Sequence, residues 1–353
     1  MQPEDKAADR LPAPNSTTRM NTACRILPIA EFAAIAPAWD TINNAHYTHP
    51  LLESRFVAKT LEHLGTGRER IAVVGADGSP DAIAVLTENR LGAWGTFQAS
   101  QSPLGAMILR SGADIAGVAK ALFAGLPLSC QILSLTQQDP DILPRPDDQP
   151  RLASLDYIDT ARITIDRGFD DYWASRGKNL RHNMKRQRNR LEREGTELRL
   201  ETLSRPEQMR EGVKSYGDLE SLGWKAEQGT AVHLDNEQGR FYAAMLEDYA
   251  ETGNARIYRY YYNNRLSAVD LCIHNGSAFI ILKTTYDESV QTSSPALLMR
   301  REYFPPIFDN HEAGRIEFYG KVMDWHTKWS DEIRTLYHVN AYRNALVARI
   351  HLR

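Results

Sequence analysis

The order of apolar runs and chain breaks repeats itself along this sequence, and a chain that repeats a supersecondary order is committed to building one fold twice. After residue 200 come two helical stretches, then the apolar runs Arg256–Tyr262, Leu266–His274 and Ala278–Thr285, parted by the turns Asn263-Asn264 and Asn275-Gly276. A helix then opens at Ser294-Pro295, with proline at the first position, where its missing N–H costs nothing. The first half follows the same order: helices near Glu31 to Trp39 and Pro50 to Leu64, strands Ile71 to Val74 and Ile83 to Leu86, a helix from Ala113 to Phe123 and a strand from Cys130 to Leu135. The pattern predicts an α+β protein of two similar units, with mixed, mostly antiparallel sheets flanked by helices.

A chain of 353 residues exceeds what one core usually serves. We place a polar, proline-bearing, disordered leader at 1–20, a first domain at 21–137, a linker at 138–151 with four prolines, and a second domain at 152–353. The net charge of −3 makes any nucleic-acid role a local one. The three cysteines, Cys24, Cys130 and Cys272, lie far apart without metal-ligand spacing, as expected of a reducing cytoplasm. No apolar run is long enough to span a membrane. A Walker loop, a Gly-x-Ser-x-Gly elbow, a zinc spacing and a dinucleotide fingerprint are all missing, which argues against hydrolases, kinases and dehydrogenases.

Local chemistry concentrates in the second half. From Arg176 to Arg193 there are eight Lys or Arg residues against one Glu, while Leu180, Met184 and Leu191 extend the apolar stripe of Phe169, Tyr172 and Trp173. This reads as one amphipathic helix, ended by Gly195, whose cations, Arg181 and Lys185 among them, either dock something anionic or form a solvated face. At Ser293, Ser294, Pro295, Ala296 and Leu297 a helix N-terminus follows a strand and a polar loop. Its free N–H groups and dipole suit a pyrophosphate, and capping alone would also account for it. The helix must stop or kink at Pro305-Pro306.

Asp270 is a carboxylate inside an apolar strand, on the face of Ala268 and Cys272, so it is either a general base of raised pKa or half of a structural ion pair. Lys283 on the next strand polarises a carbonyl, holds a phosphate or partners Asp270. Tyr286 at the strand end is a candidate general acid. Tyr319, Lys321, Asp324, Trp325 and His326 set polar groups among aromatics, as cleft linings do, with Asp324 and His326 as further acid–base candidates. Trp224 and Lys225, beside the loop Gln228-Gly229-Thr230-Ala231, read as an acceptor platform or a loop anchor.

The run from Lys178 to Arg186 through Gly195, Gly223-Trp224-Lys225, Tyr286-Asp287, Ser294-Pro295 before Leu297-Leu298, Glu317-Phe318-Tyr319-Gly320 and Trp329 together resemble the GNAT-type acyltransferases of the cellulose-biosynthesis (BcsL/CelD) group, distant relatives of the FemAB aminoacyl transferases. The resemblance covers about residues 165 to 335, and the first half looks like the degenerate GNAT-like unit that often precedes it. It implies tandem GNAT-like domains and transfer of an acyl group from acetyl-CoA or another acyl-CoA, without metal, to an amine or hydroxyl of a sugar, amino acid or cell-envelope precursor. Alternatives are an aminoacyl-tRNA-dependent transferase, whose RNA the basic helix would hold, and a non-catalytic scaffold binding an anionic polymer. The chain departs from the GNAT Gly-rich phosphate turn, with Ala296 where the group usually has glycine, and His326 stands where the group closes on lysine.

Overall fold

A computed structural model describes residues 23–76, 78–222 and 231–352. The expected leader, and Trp224 and Lys225, lie outside the described residues. The first half contains β1 (Cys24–Pro28), α1 (Phe32–His46), α2 (Ser54–Leu64), β2 (Arg70–Ala76), β3 (Ser79–Arg90), β4 (Ala93–Thr96), β5 (Met107–Leu109), α3 (Ile115–Gly125) and β6 (Ile132–Gln138). Next come β7 (Leu152–Thr164), α4 (Phe169–Ser175) and α5 (Lys178–Arg193). The second half continues with β8 (Leu198–Leu203), α6 (Pro206–Glu220), α7 (Glu237–Glu251), β9 (Ala255–Tyr262), β10 (Arg265–His274), β11 (Ala278–Tyr286), α8 (Pro295–Asp309) and β12 (Arg315–Glu317). The chain closes with α9 (Asp324–Trp329), β13 (Glu332–Tyr342) and α10 (Ala345–His351).

The repeat is real at the level of hydrogen bonding. β1 to β4 form an antiparallel ladder, and β6 returns through α3 to lie parallel to β4. In the same way β8 to β11 form an antiparallel ladder and β12 returns through α8 parallel to β11. Each half then lends its closing strand to the other: β7 runs antiparallel to β12, and β13 runs antiparallel to both β6 and β7. Among the described residues all thirteen strands therefore join one sheet, ordered β1-β2-β3-β4-β6-β13-β7-β12-β11-β10-β9-β8 with β5 on β3.

Alternation along the strands sorts apolar side chains to opposite faces. On one face Val269, Leu271 and Ile273 pack with α6 and α7, in a core continuous with Trp39 and Phe56 of the first half. On the other, Ala268 and Cys272 pack with Phe169, Met184, Met299, Tyr303 and Trp329 under α4, α5 and α8.

Two helical expectations are corrected. The basic stretch is not one helix with Phe169 and Tyr172: the chain turns extended at Arg176 (ψ 156°) and Gly177 (ψ 132°), so α4 and α5 are separate. Arg176 marks the break, its guanidinium tied to Asp331 at 3.0 Å and to the Trp329 carbonyl at 3.1 Å. α8 does not end at Pro305-Pro306 but runs on to Asp309, because burial of Phe304, Ile307 and Phe308 on either side holds the turn that the prolines weaken. The segment between β6 and β7 is fastened at buried Asp139, whose carboxylate takes Arg334 at 2.9 and 2.6 Å.

Candidate active site

The parallel strands β11 and β12 pair only over Ala278–Ile280 with Arg315–Glu317. Beyond Ile280, β11 continues to Tyr286 with no strand among the described residues on that edge, so the two strands fork. β11 also carries a bulge: Leu271 faces Lys283 while Cys272 faces Ile281, which leaves Leu282 as an extra residue. The bulge sets Thr284, not Lys283, opposite Asp270. Thr284 reaches the α8 side, where its hydroxyl donates to Asp270, and the Lys283 ammonium lies on the α7 side, 5.8 Å from the centre of the Tyr242 ring.

Asp270 does not stand open as a base. It is fully buried and accepts four hydrogen bonds: Arg300 Nε at 3.0 Å and Nη2 at 3.1 Å, Thr284 Oγ1 at 2.6 Å and Tyr303 Oη at 2.6 Å. Its cation is Arg300 from α8, not Lys283. The Arg300 guanidinium also lies 4.5 Å from the Trp325 ring centre, so α8, β10, β11 and α9 meet on this one group. His326, stacked on Trp325 at 3.5 Å, is buried and accepts the Met323 N–H at Nδ1. Burial, helped by Arg300, lowers its pKa to about 4, so it is neutral at pH 7 and carries its proton on Nε2. Asp324 is exposed at the start of α9, Lys321 is exposed just before it, and Tyr286 is exposed at the end of β11.

At the start of α8, Ser293 is buried and its hydroxyl is engaged with the Val290 carbonyl at 2.6 Å and with Tyr262 at 2.9 Å, so it is not an outward donor. Ser294 takes φ 56° and ψ 56°, a left-handed conformation costly for a residue with a Cβ, and makes no side-chain cap. Pro295 follows as the first helical residue, and the Ala296 N–H has no backbone acceptor, while Leu297 donates to the Ser294 carbonyl at 3.0 Å. Ser294 itself donates to the Gln291 carbonyl at 2.9 Å, so among the described residues the Ala296 N–H is the one first-turn donor left without an acceptor at the positive end of α8.

The first half closes the equivalent place. Asp114 caps α3, its carboxylate taking the Gly117 N–H at 2.8 Å and the Ala116 N–H at 3.2 Å. The gap between β4 and β6 is filled by the segment ending at Gly105, whose N–H bonds the Gln137 carbonyl at 3.3 Å. A Cβ there would collide with the Thr136 carbonyl and lie 2.8 Å from Thr96 Oγ1. Helix end and strand fork are open together only in the second half.

α5 lies along α8. Between them is a cavity of about 570 Å³ lined by Trp173, Met184 and Leu298 and by Lys178, Arg181, His182, Lys185, Arg188 and Arg301. Arg188 pairs with Glu192 and Glu302 at 3.0 and 3.1 Å. Among the described residues no carboxylate lies within 4 Å of Lys178, Arg181, Lys185 or Arg186.

Tyr319 is placed elsewhere, at the seam between the halves. Its backbone has φ 39° and its buried hydroxyl donates to Asp139 at 2.8 Å and meets His49 Nε2 at 2.8 Å. His49 Nδ1 accepts the Leu51 N–H, so Nε2 holds the proton, and burial lowers its pKa to about 3. Arg334 links Asp139 to Glu317 at 2.8 Å. Arg300, Tyr303, Thr284, His49, Asp139 and Arg334 were not singled out in the sequence. Arg300 alone carried a signal, a cation set among Leu297, Met299, Tyr303 and Phe304 where the pattern is otherwise apolar.

The profile of the family described as acetyltransferase (GNAT) domain matches residues 178–325. That stretch, under half of the chain, is thus similar to a GNAT acetyltransferase domain. Among solved structures it is similar to FemX (12% identity, 90% of this chain and 98% of that one, TM-score 0.57). It is also similar to a conserved protein of unknown function from Bacteroides thetaiotaomicron (13%, 90% and 98%, TM-score 0.55). A third is the C-terminal domain of a protein described as a lysylphosphatidylglycerol synthetase from Agrobacterium fabrum (10%, 91% and 96%, TM-score 0.54). At these identities the likeness is one of fold, and the fold is the repeated unit described above, the second copy of which overlaps the stretch that the profile matches. No curated protein matches the sequence. Among the described residues no helix is long and apolar enough to cross a membrane, and no cluster of potential metal ligands occurs.

Proposed function

We propose that this GNAT domain transfers an acyl group from acyl-CoA to an amine or hydroxyl of a sugar, amino acid or cell-envelope precursor. The observation that carries the reading is the coincidence, among the described residues in the second half alone, of a helix end with a spare N–H and no side-chain cap and a strand fork. The α8 N-terminus receives the pyrophosphate through the Ala296 and Leu297 turn. The free edge of β11 offers backbone groups to the amides of the pantetheine arm, which brings the thioester toward Lys283. Lys283 polarises the thioester carbonyl, the acceptor nitrogen or oxygen attacks its carbon as the C–S bond breaks, Tyr286 gives its proton to the departing thiolate, and the proton lost by the acceptor restores the Tyr286 phenol through solvent. On this reading Asp270 and Arg300 fix α8 and do not touch the reacting atoms.

The test is calorimetry and thermal shift with several acyl-CoA species, followed by thiol release in the presence of amine and hydroxyl acceptors. Binding, a ligand-dependent rise in melting temperature and acceptor-dependent thiol release are expected. Ser294→Glu, which puts a negative charge against the pyrophosphate, should weaken binding by roughly tenfold or more. No heat and no shift with any acyl-CoA would overturn the reading. The cations of α5 favour a second reading, an aminoacyl-tRNA donor, which requires tRNA binding that falls steeply with salt.

A further inference from the structure

The cavity between α5 and α8 is built unlike a solvated surface. Lys178, Arg181 and Lys185 face it with no carboxylate within 4 Å among the described residues. Arg301 enters from α8, its guanidinium 5.0 Å from the centre of the Trp173 ring, and burial lowers its pKa while the neighbouring Asp170 opposes that. An anion placed in the cavity would supply Lys178, Arg181 and Lys185 with the close counter-charge that the described residues do not. The rest of the wall is apolar, with Trp173 and Leu298, so the cavity suits a body that combines a flat ring with phosphate. Its volume of about 570 Å³ is enough for one small ligand.

Its position is equally specific. Leu298 and Arg301 come four and seven residues after Ser294, which at about 1.5 Å per residue sets them roughly 6 and 10 Å along α8 from the helix end. That is about the reach from a pyrophosphate to the far side of the nucleotide that bears it.

We propose that the α5–α8 cavity is a second phosphate site, which takes the 3′-phosphorylated adenosine of the acyl donor while its pyrophosphate sits at the start of α8. The inference rests on the acyl-CoA reading and adds to it a discriminating site formed by α5, a helix that lies outside the repeated β–α–α–β–β–β–α–β unit. Arg181 and Lys185 recognise the 3′-phosphate, and Trp173 borders the base.

The experiment compares coenzyme A with dephospho-coenzyme A, which lacks only the 3′-phosphate, by calorimetry on the full chain and on Arg181→Glu/Lys185→Glu. Wild type should bind coenzyme A at least roughly tenfold more tightly than the dephospho form. In the double variant that ratio should collapse to one, with coenzyme A falling to the dephospho level. Lys185→Gln, a milder change at an exposed position, should reduce the ratio partway and guards against misfolding of the double variant. Equal affinities in wild type, or a ratio that survives in the variants, would overturn this inference and leave the acyl-CoA reading standing. Failure of both coenzymes to bind would overturn both readings. An RNA hairpin that binds wild type with steep salt dependence, fails on the double variant, and does so while the two coenzymes bind alike would assign the cavity to RNA and overturn the proposal as well.

Discussion

Asp270 shows how a single residue can carry a catalytic signature and hold a structural post. A carboxylate in an apolar strand is costly unless its charge is answered, and here both oxygens are answered twice, with no exposure left for an acceptor. Asp270→Asn should therefore destabilise the fold by about 3–5 kcal/mol, since it leaves Arg300 buried without its counter-charge. Pairing it with Arg300→Met should recover part of that loss in chemical denaturation. Turnover per folded molecule should drop less than roughly tenfold, and a hundredfold drop at unchanged stability would instead restore Asp270 as the base. His49 gives a second residue-scale prediction. Its folded pKa is depressed to about 3 by burial, so the native imidazole stays neutral while the unfolded one protonates near 6.5. Stability from this group is complete above pH 6.5 and is lost as pH falls from there toward 3. His49→Gln should be less stable at pH 7, and its stability should fall less than that of wild type between pH 6.5 and 4 in denaturant titrations.

At the scale of elements, the two halves use the same helix end in opposite ways. α3 spends its first N–H groups on the Asp114 carboxylate, whereas α8 begins with a strained Ser294 and a proline, has no side-chain cap, and leaves the Ala296 N–H without an acceptor among the described residues. Asp114→Ala should cost about 1 kcal/mol, as loss of an N-cap does. It should open no second cofactor site, because Gly105 still fills the gap between β4 and β6. Calorimetry on that variant should keep a stoichiometry of one coenzyme per chain, and two would show that the cap alone closed the first half.

At the scale of the molecule, the exchange of closing strands makes the halves interdependent. β13 lies between β6 and β7, and the core over α6 and α7 runs on into the first half without a break. Heating should give one cooperative transition with equal calorimetric and van't Hoff enthalpies. Truncation after Ser330 strips the sheet of its middle strand and should abolish that transition for the whole chain. Survival of a separate cooperative unit would show that the halves fold alone.

Much of this was written in local pattern. The Asn263-Asn264 and Asn275-Gly276 turns, the alternation in β9 to β11 and Pro295 at the head of α8 are near-neighbour signals, and they determined the repeated order, the α+β class and the place of the helix end. The alternation even put Asp270 on the Ala268 and Cys272 face, where the structure has it. What it could not convey was partnership across distance. Arg300 answers Asp270 from 30 residues away, and Tyr319 joins Asp139 across 180. The bulge at Leu282, which parts Lys283 from Asp270, and the exchange of β7 and β13 between halves are choices of register and pairing. Those are settled by which faces bury together in three dimensions, not by the order of residues along the chain.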